Sequence, residues 1–136
     1  MNKELDDLLS QRYAKIFVNR NRPVQESAMG WGITCGDGWF DLLDTLCACL
    51  QDHTDNNDGP QVVAMQIKEK WGALRFYEEH ADEKQLGMIE MAVAFSAHLC
   101  EQCGKPGQLL RQARTYLTRC PEHASNNLTP NNSIPV

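Results

Sequence analysis

Four residues near the C-terminal end, Cys100, Cys103, Cys120 and His123, constrain this chain more than any others. They come as two close pairs, Cys100-Glu-Gln-Cys103 and Cys120-Pro-Glu-His123, with residues 104–119 between them. Each pair of thiol or imidazole ligands supplies two corners of a tetrahedral metal site, and the spacing matches zinc. Gly104 suits a tight turn in which backbone N–H groups point at thiolate sulfurs. Pro121 is tolerated at a turn or in the first turn of a short helix. Leu109-Leu110 and Tyr116-Leu117 suit two short strands between the pairs, so residues 100–123 read as a treble-clef or zinc-ribbon-like module. Four protein ligands fill zinc's preferred coordination and leave no position for an activated water, so the expected role of the metal is structural. His98 is a candidate substitute ligand, although a lone histidine there suits a packed or surface role as well.

The remaining chain has the length and apolar content of one ordinary domain, at 136 residues and 42% hydrophobic. Over residues 3–18, Leu5, Leu8, Leu9, Tyr13, Ile16 and Phe17 recur at spacings of three and four, which predicts an amphipathic helix. Asn19 to Pro23 should break it. The segment Met29–Phe40 packs four glycines and two tryptophans into twelve residues, a mix that suits backbone in close approach to aromatic rings. Asp37 is placed to cap a second helix that buries Trp39, Leu42, Leu43, Leu46 and Leu50. From residue 61 to 79 the period changes to two, with Val63, Met65 and Ile67 and then Leu74 and Phe76 facing inward, which predicts a hairpin turning near Trp71-Gly72. Residues 82–99 return to helix and lead directly to Cys100. Residues 124–136, with four asparagines and two prolines, read as a disordered tail. The sum is one α+β domain over residues 1–123, made of three helices, a β-hairpin and the zinc module.

Charge separates two regions. The net charge is −5, yet residues 104–119 hold Lys105, Arg111, Arg114 and Arg119 with no acid. The acidic total argues against wholesale adhesion to nucleic acid or an anionic membrane. No apolar run is long enough to cross a bilayer and the first residues lack the order of a signal peptide, so the expected location is the cytoplasm, with free thiols at Cys35, Cys47 and Cys49.

Several enzymatic patterns fail on inspection. The chain has no His-x-Glu with Pro-Cys-x-x-Cys of a zinc deaminase, no His-Glu-x-x-His, and no phosphate-cradling Gly-x-x-x-x-Gly-Lys loop. Residues 54–65 lack the first and last acidic ligands of a calcium loop. Asp37, Asp41 and Asp44 share a helix face and offer a carboxylate patch or an acid/base pair, against the simpler account of one cap and a solvated face. Cys35 lacks a histidine nearby in sequence to activate it, so a buried apolar role is the simpler one.

Four blocks extend the pattern beyond the metal ligands: Cys35-Gly-Asp-Gly-Trp-Phe-x-Leu-Leu, Ile67-Lys-Glu-Lys-Trp-Gly-x-Leu-Arg-Phe-Tyr77, Cys100-Glu-x-Cys-Gly-x-Pro-Gly107 and Cys120-x2-His123, with Ser96. They resemble the recurring blocks of a group of short zinc-binding proteins encoded by bacteria and their phages. The resemblance spans roughly residues 30–123 and implies a small zinc-binding domain in a mobile-element setting, with no reaction attached. The expected function is therefore non-enzymatic binding of another protein, as a phage accessory or anti-defence factor acting on a host complex. The basic loop and the carboxylates Asp41 and Asp44 would supply contrasting surfaces. The alternative is a nucleic-acid-binding module using Lys105, Arg111, Arg114 and Arg119, with stacking by Tyr116.

Overall fold

Trp39 is fully buried, and the elements assemble around it. In the computed structural model, which describes residues 1–125 and 129–130, the chain forms α1 (Lys3–Arg12), α2 (Phe40–Asn56), β1 (Val63–Lys70), β2 (Ala73–Glu79), α3 (Glu83–Ser96), β3 (Gln108–Gln112), β4 (Thr115–Arg119) and β5 (Thr129–Pro130). This is a mixed α+β architecture with three helices and two small antiparallel sheets, β1-β2 and β4-β3-β5. No helix among the described residues is long and apolar enough to cross a membrane.

The main core gathers Leu9, Ile16, Phe17, Met29 and Ile33 from the N-terminal third and Leu43, Leu46, Cys47 and Leu50 from α2. Val62, Ala64, Ile67, Leu74 and Phe76 of the β1–β2 region and Ile89 and Ala92 of α3 complete it. α2 buries the expected stripe, with Leu42 only partly covered. Asp82 caps α3, its carboxylate accepting from Gln85 N while the Gln85 side chain accepts from Asp82 N, a reciprocal box that satisfies two end donors.

Four expectations are corrected in detail. α1 ends at Arg12, short of residue 18, where Tyr13 leaves helical geometry at φ −126° and ψ 54°; the Ile16 carbonyl beyond it accepts from Ala64 N at 2.9 Å, and Ile16 and Phe17 still reach the core. The polar side of this amphipathic segment is not wholly solvated: Asp6 is buried and accepts from Arg20 Nε at 2.7 Å and from Ile33 N at 2.9 Å. Asp37 does not cap α2, whose start carries no side-chain cap; its two oxygens accept instead from Asn2 N and Asn2 Nδ2. The hairpin turns at Trp71-Gly72 as expected, but a register shift between Ala64 and Gln66 puts Ala64 in the core and leaves Val63 and Met65 half-buried.

Helix α3 stops at Ser96, three residues short of Leu99. Within 124–136, Thr129–Pro130 pair with Leu110 and Arg111 of β3, while residues 126–128 and 131–136 lie outside the described residues.

Candidate metal centre

Cys100, Cys103, Cys120 and His123 converge, with one ligand atom from each all within 4.8 Å of one another. Zinc–sulfur bonds of about 2.3 Å and zinc–nitrogen bonds of about 2.0 Å require tetrahedral edges of roughly 3.8 Å between sulfurs and 3.5 Å between sulfur and nitrogen. The observed edges are 3.7 Å from Cys103 Sγ to Cys120 Sγ, 3.5 Å from Cys100 Sγ to His123 Nδ1 and 3.3 Å from Cys120 Sγ to His123 Nδ1. The donor set and its spacing therefore fit a four-coordinate metal ion. His98 is exposed and outside the cluster.

The local backbone explains why these thiols converge. Gly104 adopts φ of 77°, the left-handed conformation that a side chain resists, and its N–H returns to the Cys100 carbonyl at 2.8 Å. Burial opposes ionisation of Cys100, yet backbone N–H groups of Cys120, Cys103 and Gln102 outweigh it and bring the thiol down to about 6. Cys103 moves the other way: a backbone N–H from Lys105 favours its thiolate, but desolvation and the sulfurs of Cys120 and Cys100 push it up. A cation among the sulfurs relieves that mutual repulsion, as thiolate metal ligands require.

The metal-ligand segment is seated on the body through glycine. Gly38 N donates to Glu101 O at 2.7 Å, and Gly36 N donates to Glu101 Oε2 at 2.9 Å. A Cβ on Gly38 would lie 2.6 Å from Gly104 N and 2.7 Å from Cys103 N, so only glycine permits this approach. Trp39 Nε1 donates to Leu99 O at 2.9 Å, holding the chain just before Cys100. The β1–β2 turn clasps the opposite side. Thr118 Oγ1 donates to Gly72 O at 2.6 Å, and Trp71 meets Tyr116 edge-on at 5.7 Å between ring centres.

Glu101 was not among the candidates, and spacing alone carries no signal for it. It joins three elements: its backbone N donates to Thr118 O, its carbonyl and one carboxylate oxygen take the Gly38 and Gly36 donors, and its other oxygen meets Arg119 at 3.2 Å. Both side chains of that pair are only 12% exposed.

The expected charged surfaces are redistributed accordingly. Arg119 is committed to Glu101, and Lys105 pairs with Glu122 at 3.3 Å on the surface. Arg111 and Arg114 remain exposed without an acidic partner among the described residues, with the Arg111 guanidinium 5.9 Å from the Tyr116 ring centre. Asp44 is held by the Tyr13 hydroxyl at 2.7 Å and Arg12 at 3.0 Å, and Asp37 by Asn2, so of the three helix-face carboxylates only Asp41 is exposed with no side-chain partner among the described residues. The Asp44 contact and burial push the Tyr13 phenol up to about 12, with burial the larger cause. Burial raises the Cys35 thiol to about 12 and Cys47 further, which leaves both as inert thiols of the core at neutral pH.

No protein-family model, curated protein or solved structure matches this chain significantly.

Proposed function

We propose that the protein is a non-enzymatic binding domain, stapled by one structural zinc ion, that engages another protein through the groove between α2 and α3. Three thiolates and an imidazole at tetrahedral spacing favour zinc over harder divalent ions. The sequence of knuckle, β3–β4 hairpin and Cys120–His123 turn corresponds to a zinc-ribbon or treble-clef-like module. With all four corners taken from the protein, the ion's chemistry is to hold the chain, not to activate water.

The observation that carries the protein-binding reading is the outer face of α3. This helix is apolar on both sides: Ile89 and Ala92 enter the core, while Met91 is 71% and Phe95 46% exposed. Met91, Phe95 and Met88 line a groove of about 220 Å³ with Leu42, Leu46 and Cys49 of α2. An apolar helix face left in solvent beside the core-facing one suits a second packing partner, and methionine-lined grooves take up amphipathic helices. Exposed acids border this groove: Asp41 lies one turn before Thr45, Asp52 one turn after Cys49, and Glu90 beside Met91. The fitting partner is a helix with an apolar face flanked by lysine or arginine.

The test places a photo-crosslinking phenylalanine analogue at position 49, an exposed position lining the same groove, and maps what it captures in cells. The reading expects a basic-flanked amphipathic segment, and loss of capture in Met91→Glu/Phe95→Glu with an unchanged unfolding midpoint. Capture that survives the double substitution, or crosslinks only to a second copy of the chain, overturns it. Metal analysis of the purified protein should return one zinc per chain.

A further inference from the structure

The hairpin β1–β2 has an inner and an outer face. Its register pairs Ile67 with Phe76 and Glu69 with Leu74 toward the core, so Lys68 with Arg75 and Gln66 with Tyr77 share the outer face, which Lys70 continues. From Gln66 to Lys70 and from Ala73 to Tyr77 that outer face carries three cations and no acid; its first acid is Glu79, at the far end of β2 from the turn. Among the described residues, none of Lys68, Lys70 and Arg75 forms an ion pair, and neither does Arg111 or Arg114. The β1–β2 turn abuts the metal hairpin, so the series runs from Lys68 and Arg75 through Lys70 and Trp71 to Tyr116 and Arg111, with Arg114 in the next turn. Five unpaired cations thus follow one path on a protein whose net charge is −5.

Aromatic rings lie along the same path. Trp71 is 52% exposed and Tyr77 44%, and Tyr116 sits between Trp71 and Arg111. Trp71 also holds φ of 58° beside Gly72 at 79°, a two-residue turn with both central residues left-handed. Asn-Gly is the favoured sequence for such a turn, and a bulky side chain adopts it only against a steric penalty. A tryptophan kept there, half in solvent, points to a use for its ring.

We propose that this strip binds single-stranded nucleic acid, the cations meeting phosphates and Trp71 and Tyr77 stacking on unpaired bases. An acidic peptide would satisfy the cations but give the exposed rings no planar partner. A duplex keeps its base faces stacked and out of reach. This surface uses Lys68, Lys70, Arg75 and Trp71, and it excludes Lys105 and Arg119, whose charges are already paired.

The experiment measures fluorescence anisotropy of labelled oligothymidylate and oligouridylate with the full zinc-loaded chain across a salt series. Binding to either strand is expected, with a log–log salt slope of roughly −3.5, from about −0.7 per phosphate neutralised on a single strand. Lys68→Gln/Lys70→Gln should reduce the slope by about 1.4. Trp71→Asn should weaken binding roughly tenfold while the unfolding midpoint holds or rises, because asparagine suits the turn. Lys105→Gln should change nothing. The two strands distinguish DNA from RNA as the source of the ligand. Absence of binding to both overturns the proposal. So does equal competition by duplex or polyglutamate, or retained affinity in folded Trp71→Asn.

Discussion

Gly38 and Gly104 meet backbone to backbone: a Cβ on Gly104 would lie 2.8 Å from the Gly38 carbonyl oxygen, and one on Gly38 would lie 2.6 Å from Gly104 N. The atoms in the way are main chain and cannot rotate aside. Gly38→Ala should therefore cost about 3 kcal/mol, the upper end for overpacking, and speed metal loss to a chelator. Gly87 is the control, since nothing lies within 4 Å of its Cβ position in the middle of α3. Gly87→Ala should stabilise by up to about 1 kcal/mol through helix propensity. Thermal or denaturant unfolding of both variants, with chelator-challenge kinetics for the first, checks the contrast.

The same seat depends on the pair Glu101–Arg119. Glu101→Gln leaves the Arg119 guanidinium largely buried without its counter-charge, and the expected loss is about 3 kcal/mol. Glu122→Gln removes the acid from an ion pair whose side chains are 61% and 70% exposed, so its effect should stay within about 0.5 kcal/mol. Denaturant midpoints with a double-mutant cycle on Glu101 and Arg119 would show whether the pair couples.

Much of this frame was legible because it is written in local periodicity. The i, i+3, i+4 apolar pattern of α2, the alternation on either side of Trp71-Gly72 and the paired metal ligands each lie within one segment. What escaped depends on contacts between distant segments. Nothing near Asp37 says that its carboxylate serves Asn2, or near Asp6 that it closes on Arg20 and Ile33 N. The glycines at 36 and 38 were readable as close-approach positions, but not that the approaching chain is Glu101 to Gly104. The cluster of four ligands was legible from spacing. The charge of the loop between them was misjudged because Glu101 and Glu122 lie just outside the counted window and neutralise Arg119 and Lys105 in space.

Removing the metal separates the two sheets' fates. No ligand belongs to the main core around Leu43, Leu50, Ile67 and Leu74. β3–β4 adds few buried apolar residues of its own, chiefly Leu109 and Leu110. A structural zinc ion can contribute on the order of 10 kcal/mol at neutral pH, enough to fold a hairpin that cannot bury a core by itself. Cys120→Ser, or chelation of the wild type, should lower zinc below one per chain. Amide protection should fall in β3, β4 and the Gly36–Trp39 segment and persist in α2 and β1. Hydrogen exchange read by mass spectrometry checks this; uniform loss across the chain would show that the body depends on the metal as well.

Acid should find a different joint. Asp82 accepts from Gln85 N at the head of α3 and meets His53 Nε2 at 2.7 Å, and these contacts, the backbone one first, hold its carboxyl below the usual range. A depressed folded value means that the unfolded chain binds the proton more readily. The stabilisation is therefore complete above the unfolded value of about 3.9 and is lost as pH falls through the folded one. The substitution Asp82→Asn keeps an N-cap acceptor but removes the charge. At neutral pH the variant should be the less stable protein, and the difference between the two should shrink as both are taken below about pH 4. Denaturant midpoints at a series of pH values test this directly. A gap that stays constant down to acid would assign the contribution of Asp82 to cap geometry alone, with none from its charge.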